Sequence, residues 1–273
     1  MRLAYLGTPE ISVPPLRALV EAGHDVVVVV TNPDRRRGRG GRTAPSPVKA
    51  AADELGLSVI HDPALLADAT HEIELGVVVA YGRLIKQPVL DAFPLVNLHF
   101  SLLPRWRGAA PVERALLAGD DETGVCLMRL EAGLDTGGVY ACAQVPIGAT
   151  TTAADLRATL VAEGVELLVR QLDRPLSGWI DDAAPQRGVT TYADKIDPAE
   201  LEIDWARTPE EIDRLIRIGG AWTTFRDARL KVHAAELVDG VVRPVTVQPA
   251  GKSPMAFDAW RNGAQPRPDE LFG

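Results

Sequence analysis

The sequence predicts an α/β protein: a mostly parallel sheet with helices on both faces, followed by a small second domain. Three features predict it. Short β-branched runs alternate with amphipathic stretches from Arg2 to Leu172, and each parallel crossover needs such a helix to carry the chain back. The runs are apolar throughout, most plainly at Asp25–Thr31 with its five consecutive valines, as expected of strands buried on both faces. From about Val189 the texture changes to one amphipathic helix and several short β-like runs.

The elements follow in order. Arg2–Gly7 reads as the first strand, and Ser12–Gly23 as a helix with Ser12 as its cap, prolines in the first turn and Gly23 at the exit. The valine run is the second strand. Ser46, Pro47 and Gly56 repeat the same punctuation around a second helix. Short strands at "LSVI", "LGVVVAYG" and "LVNLHF" follow, then a helix at "APVERALLAG" and a strand at "GVCLMRLE". Thr152–Leu172 is a long amphipathic helix that closes the first domain, residues 1–180. The polar, turn-rich residues 181–188 read as a linker, and 189–273 as the second domain. There, "TPEEIDRLIRIG" carries a capping box formed by Thr208 and Glu211 and an apolar stripe of Ile212, Leu215 and Ile216. Trp205, Trp222 and Trp260 are its expected anchors.

Composition narrows the function. The chain has 273 residues, 46% of them hydrophobic, and a formal net charge of -8, enough apolar material for a sizeable core. Cys126 and Cys142 stand 16 apart without a C-x-x-C, so they read as buried, reduced thiols of a cytoplasmic protein. No signal peptide or membrane span is legible. "LGTPEIS" has one glycine where a dinucleotide fingerprint needs three, and no P-loop motif occurs. His24, His61, His71 and His233 lack metal-ligand spacing and read as solvated or packing residues, so no metal is expected.

Two motifs carry chemistry. Asn97 and His99, two apart at the end of an apolar strand, share a face and stand at the carboxyl edge of the sheet. An amide beside an imidazole suits a carbonyl that becomes a tetrahedral oxyanion. Asp135, in the glycine-rich "EAGLDTGG", is a carboxylate able to orient that imidazole. A third stretch carries charge: Arg35, Arg36, Arg37, Arg39 and Arg42 put five arginines into eight residues of an acidic chain. Guanidinium groups bind phosphate as a fork, so this segment reads as an arm for a phosphate backbone.

The segment from Asn97 to Tyr140, with N-x-H-x-S-L-L-P and L-D-T-G, resembles the core of the 10-formyltetrahydrofolate-dependent formyltransferases, methionyl-tRNA formyltransferases in particular. "GTPEISVPPL", "TNPDRRRGRG", "PSPVKAAADELGL" and "VVVAYGRLI" match in the same order, over nearly all of residues 1–180. The resemblance implies a Rossmann-like catalytic domain and a barrel-like OB domain after it. It implies Asn97, His99 and Asp135 as the catalytic set. Ser101, Leu102, Leu103 and Pro104 are then folate contacts, with Val79, Tyr81 and Leu134 lining the pterin pocket or packing in the core, and the arginine segment reaches the acceptor stem of a charged initiator tRNA. No protein or membrane partner is implied.

The sequence departs from the family in two places. Phe100 replaces a usually small residue and is expected to reshape the folate pocket. The C-terminal part is abridged, with too few strand-like runs for a five-stranded barrel, which predicts a reduced α+β unit. From Gln186 onward it has 12 Lys and Arg against 14 Asp and Glu, a poor balance for gripping RNA. A sugar-nucleotide N-formyltransferase would use the same three residues, and a non-catalytic RNA-binding relative is the alternative from another class.

Overall fold

The computed structural model describes residues 1–37, 42–67, 72–267 and 270; Arg39 and His71 lie outside them. The chain forms two compact units: 1–111, 123–146 and 157–193 make one, and 112–122, 147–156 and 194–273 the other.

In the first unit β1 (Arg2–Gly7) leads through α1 (Val13–Glu21) to β2 (Asp25–Val30). A short hairpin follows, β3 (Arg35–Arg37) and β4 (Arg42–Ala44), then α2 (Pro47–Glu54) and β5 (Val59–Ile60). The chain continues through β6 (Leu75–Val79), α3 (Gln87–Leu90), β7 (Leu95–His99), β8 (Arg107–Gly108) and α4 (Pro111–Ala118), which from residue 112 belongs to the second unit. Next come β9 (Glu122–Arg129), β10 (Val139–Pro146), α5 (Ala153–Leu172) and β11 (Tyr192–Ala193).

Seven of these strands form one sheet, in the order β10-β9-β7-β6-β1-β2-β5. β1 pairs in parallel with both β2 and β6, and β6 with β7, whereas β7 pairs antiparallel with β9. The chain builds outward from β1 on one side, then crosses to β6 on the other. Such a reversal opens a crevice beyond the carboxyl ends of the strands, where β7 delivers its last residues. Ala4, Leu6, Val28, Val30 and Val78 pack on one face with Val89 and Phe93. A fully buried valine or leucine contributes about 2 kcal/mol by leaving water.

Local signals mostly act as expected. The Ser46 hydroxyl accepts from Lys49 N–H at 3.0 Å and caps α2. Ser12 sits at the N-cap of α1 but makes no side-chain cap bond; its hydroxyl donates instead to the Val79 carbonyl at 2.7 Å, tying the helix entry to β6. The free thiols expected at Cys126 and Cys142 are corrected: the two are joined in a disulfide. β9 turns back into β10, with Arg129 N–H donating to Gly138 O, so chain positions 16 apart become neighbours.

The second unit contains α6 (Pro209–Ile218), β12 (Trp222–Phe225), β13 (Ala228–Val238), β14 (Val241–Pro249), β15 (Met255–Ala256) and α7 (Phe257–Ala264). Its four strands form an antiparallel sheet in chain order. Among the described residues no fifth strand joins it, so the unit is the reduced α+β form the sequence predicts. Thr208 and Glu211 make the reciprocal capping box of α6, and Ile212, Leu215 and Ile216 are buried. Trp205 Nε1 donates to the buried Thr223 hydroxyl at 2.9 Å, and Trp260 packs on Phe225 and Phe257.

Candidate active site

β7 sets the geometry. Asn97 lies opposite Met128 of β9 and His99 opposite Cys126, so Asn97 and His99 project from one face of the sheet. Leu98 and Phe100 turn the other way and lie against Gly164 of α5. Phe100 is buried on that helix side. Alternation along the strand directs its ring away.

The His99 ring is held at both nitrogens. Nε2 lies 2.8 Å from the Trp106 carbonyl oxygen, and Nδ1 lies 3.5 Å from Asp135 Oδ2. The Trp106 carbonyl can only accept, so Nε2 donates to it. Asp135 Oδ2 also accepts the Gly108 N–H at 2.8 Å. The His99 and Asp135 side chains are 6% and 12% exposed, which leaves their interaction weakly screened by solvent.

Two residues reach this geometry through left-handed backbone, Trp106 at φ 61° and Asp135 at φ 49°. Each such conformation costs about 1 kcal/mol or more in a non-glycine residue and persists only where neighbours fix it. Thr191 fixes the first, its hydroxyl accepting the Trp106 N–H at 2.9 Å. Around the second, a Cβ on Gly137 would stand 2.0 Å from the Arg129 carbonyl oxygen, so only glycine lets the loop pass so close. Beside the loop, burial raises the Tyr140 hydroxyl above its ordinary range, against the pull of Arg129. It therefore stays protonated and donates to the Ile180 carbonyl at 2.9 Å.

The expected folate contacts fall into two groups. Ser101 is fully buried and donates to the Arg105 carbonyl at 2.6 Å; Pro104, after a cis peptide bond, is buried too. Val79 is buried, and so is Tyr81, whose carbonyl accepts from the Thr8 hydroxyl at 3.1 Å and the Asn32 amide at 3.3 Å. Leu102 and Leu103 are half-buried, and Leu134 is 60% exposed. The last three keep exposed surface, whereas the others are packed inside.

The arginine segment is an antiparallel hairpin that leaves the carboxyl end of β2, with Arg35 opposite Ala44, Arg36 opposite Thr43 and Arg37 opposite Arg42. Asp34 at its base is gripped by Lys49 Nζ, 2.9 Å from both carboxylate oxygens. Since β2 and β7 belong to the parallel part of one sheet, the hairpin rises from the edge where Asn97 and His99 stand. Sequence reasoning missed Trp106, Gly108 and Thr191. The first two act through backbone atoms, and no side-chain pattern signals a carbonyl or an N–H; Thr191 lies 85 residues from its partner.

The model of the family described as formyl transferase matches residues 1–172, and that of the formyl transferase C-terminal domain matches 195–241. A methionyl-tRNA formyltransferase of Roseobacter denitrificans is 47% identical over 260 residues, spanning 91% of this chain and 85% of the relative. Among solved structures, a methionyl-tRNA formyltransferase from Clostridium thermocellum superposes with a TM-score of 0.62 at 17% identity, covering 93% of this chain and 100% of the other. An N-formyltransferase from Helicobacter canadensis, solved with folinic acid and dTDP-3-aminofucose, gives 0.64 at 20% identity, covering 94% and 98%. At those identities the two structures show a shared fold.

Proposed function

The chain belongs to the formyl transferase family, and from that premise we propose that it moves the formyl group of 10-formyltetrahydrofolate onto the free amine of methionine esterified to initiator tRNA. The observation that carries this is the buried His99–Asp135 contact beside Asn97, at the carboxyl edge of a sheet from which an arginine hairpin rises. The similarity to named methionyl-tRNA formyltransferases along most of both chains supports the choice of acceptor.

The amine attacks the formyl carbon bound to nitrogen 10 of the folate, and the carbonyl oxygen becomes an oxyanion. Asn97 donates its amide N–H to that oxygen, and His99 supports the same charge. A preorganised donor of this kind is worth about 3 kcal/mol at the transition state. Asp135 holds the imidazole through Nδ1 and assists transfer of the proton from the attacking amine to the leaving nitrogen. The Trp106 carbonyl holds Nε2 at rest, and the imidazole releases that contact to turn its N–H to the oxyanion. Arg35, Arg36, Arg37, Arg39 and Arg42 meet the phosphates of the acceptor stem.

One feature favours a second acceptor. The C-terminal unit is reduced and its chain slightly acidic, which suits a small amino sugar on a nucleotide. The experiment supplies 10-formyltetrahydrofolate with charged initiator tRNA, with an amino-sugar nucleotide, or with neither. Tetrahydrofolate and formyl-methionyl-tRNA should appear in the first arm alone. Product in the second arm only would replace the proposal, and release of formate without an acceptor would make the protein a hydrolase.

A further inference from the structure

The Asp135 carboxylate does its work from a strained loop, and one side chain ties that loop down. Gln186 Nε2 donates to the carbonyls of Asp135 and Gly137, at 2.8 Å each. Its Oε1 accepts a fork from Arg107, with Nε at 3.1 Å and Nη2 at 2.6 Å. Both amide hydrogens and the oxygen are thereby engaged. Arginine can only donate and carbonyls only accept, so the four contacts admit one orientation of the amide. The residue after Arg107 is Gly108, whose N–H holds the Asp135 carboxylate. One amide therefore joins the backbone of the carboxylate's loop to the strand that grips the carboxylate itself.

The approach of Gln186 is built into the chain. Ala184 and Val139 exchange backbone hydrogen bonds at 2.8 and 2.9 Å, which lays the 184–186 segment alongside the start of β10. On the other side β11 pairs with β8, placing Tyr192 opposite Arg107 and Ala193 opposite Gly108. Gln186 sits between these two attachments, where its side chain spans from one to the other.

We propose that Gln186 is a positioning residue for formyl transfer: it holds the left-handed turn at Asp135 so that Oδ2 faces His99 Nδ1. This rests on the catalytic role assigned to Asp135 above. Without the two N–H donors the Asp135 peptide is free to relax from φ 49°, and a displacement of about 1 Å at a reacting group costs on the order of 100-fold in rate.

Gln186→Glu keeps an acceptor for Arg107 but turns carboxylate oxygen toward the two carbonyls. Gln186→Met, which introduces no charge, removes the same donors and serves should the first variant fold poorly. In either full-length variant kcat for formylation of methionyl-tRNA should fall between about 10- and 100-fold while KM for the folate changes little. Introduced into an Asp135→Asn protein, the same change should cost almost nothing more, because the group being positioned is gone. A purely structural role predicts the opposite: a repeated loss in the second background, or kcat within about threefold of the parent, overturns the proposal. Amide hydrogen exchange at Gly108 gives an arm independent of substrate. It should quicken in both variants, and unchanged exchange would also overturn the proposal. If the parent itself fails to formylate tRNA, the functional reading falls, while the Gly108 result still decides whether Gln186 clamps the loop.

Discussion

Replacing Asp135 with Asn isolates the charge of the carboxylate from its shape. The amide oxygen of Asn can still accept the Gly108 N–H now held at 2.8 Å, so that contact is kept. What disappears is the negative charge 3.5 Å from His99 Nδ1. At an effective dielectric near 20, an imidazolium formed at that separation in the transition state is attracted by about 5 kcal/mol. Part of that gross figure is offset by the hydration both groups give up on burial. A net loss of about 3 kcal/mol at the transition state corresponds to roughly 100-fold in kcat. Single-turnover formylation of charged initiator tRNA at saturating folate reads this directly, with circular dichroism melting to show that the fold is intact. A soluble Asn variant that turns over within about threefold of the parent would refute the role given to Asp135.

Other perturbations test separate parts of the molecule. Asn97→Ala should lower kcat by about 100-fold with unchanged melting, because it removes one oxyanion donor; rapid-quench kinetics measures it. Substituting Arg35, Arg36 and Arg37 together by Ala should weaken tRNA use and flatten its salt dependence by up to about 0.9 in log-log slope per lost contact, with folate binding, followed by fluorescence titration, unchanged. Cys142→Ser opens the cross-link between strands 16 residues apart and should lower stability to urea by about 3 kcal/mol. In the second unit the Arg114 guanidinium and the Asp197 N–H hold the Glu200 carboxyl below its ordinary value. A carboxyl so depressed stabilises the fold above its unfolded value of 4.5 and loses that contribution as pH falls through the folded value. Glu200→Gln should therefore lower the thermal midpoint at neutral pH, and the gap to the parent should close under acid conditions; a gap constant across pH would show that charge is not involved. The effect is small, because the carboxylate is 42% exposed and screened.

The Asn97–His99 pair was legible because strand alternation is local. Two residues apart means one face, whatever the strand packs against. Thr208 and Glu211 were legible for the same reason, since a capping box closes within one helical turn. Ser12 shows where local reading stops: it holds the cap position, yet its hydroxyl serves a carbonyl 67 residues away. Phe100 differs from its neighbours only in which face it takes, and the cover on that face is α5.

By itself the sequence determined the elements, their apolar faces and the residue types that stand at the end of β7, because hydrophobic period and capping act over a few residues. Tertiary structure alone decided that His99 is gripped by the Trp106 carbonyl, that Gly108 N–H holds Asp135, that Gln186 reaches back 51 residues to the Asp135 carbonyl and that Cys126 meets Cys142. Those contacts join backbone atoms or distant positions. They come into being only when the sheet has ordered its strands and fixed their register, for which no short stretch of chain carries a sign.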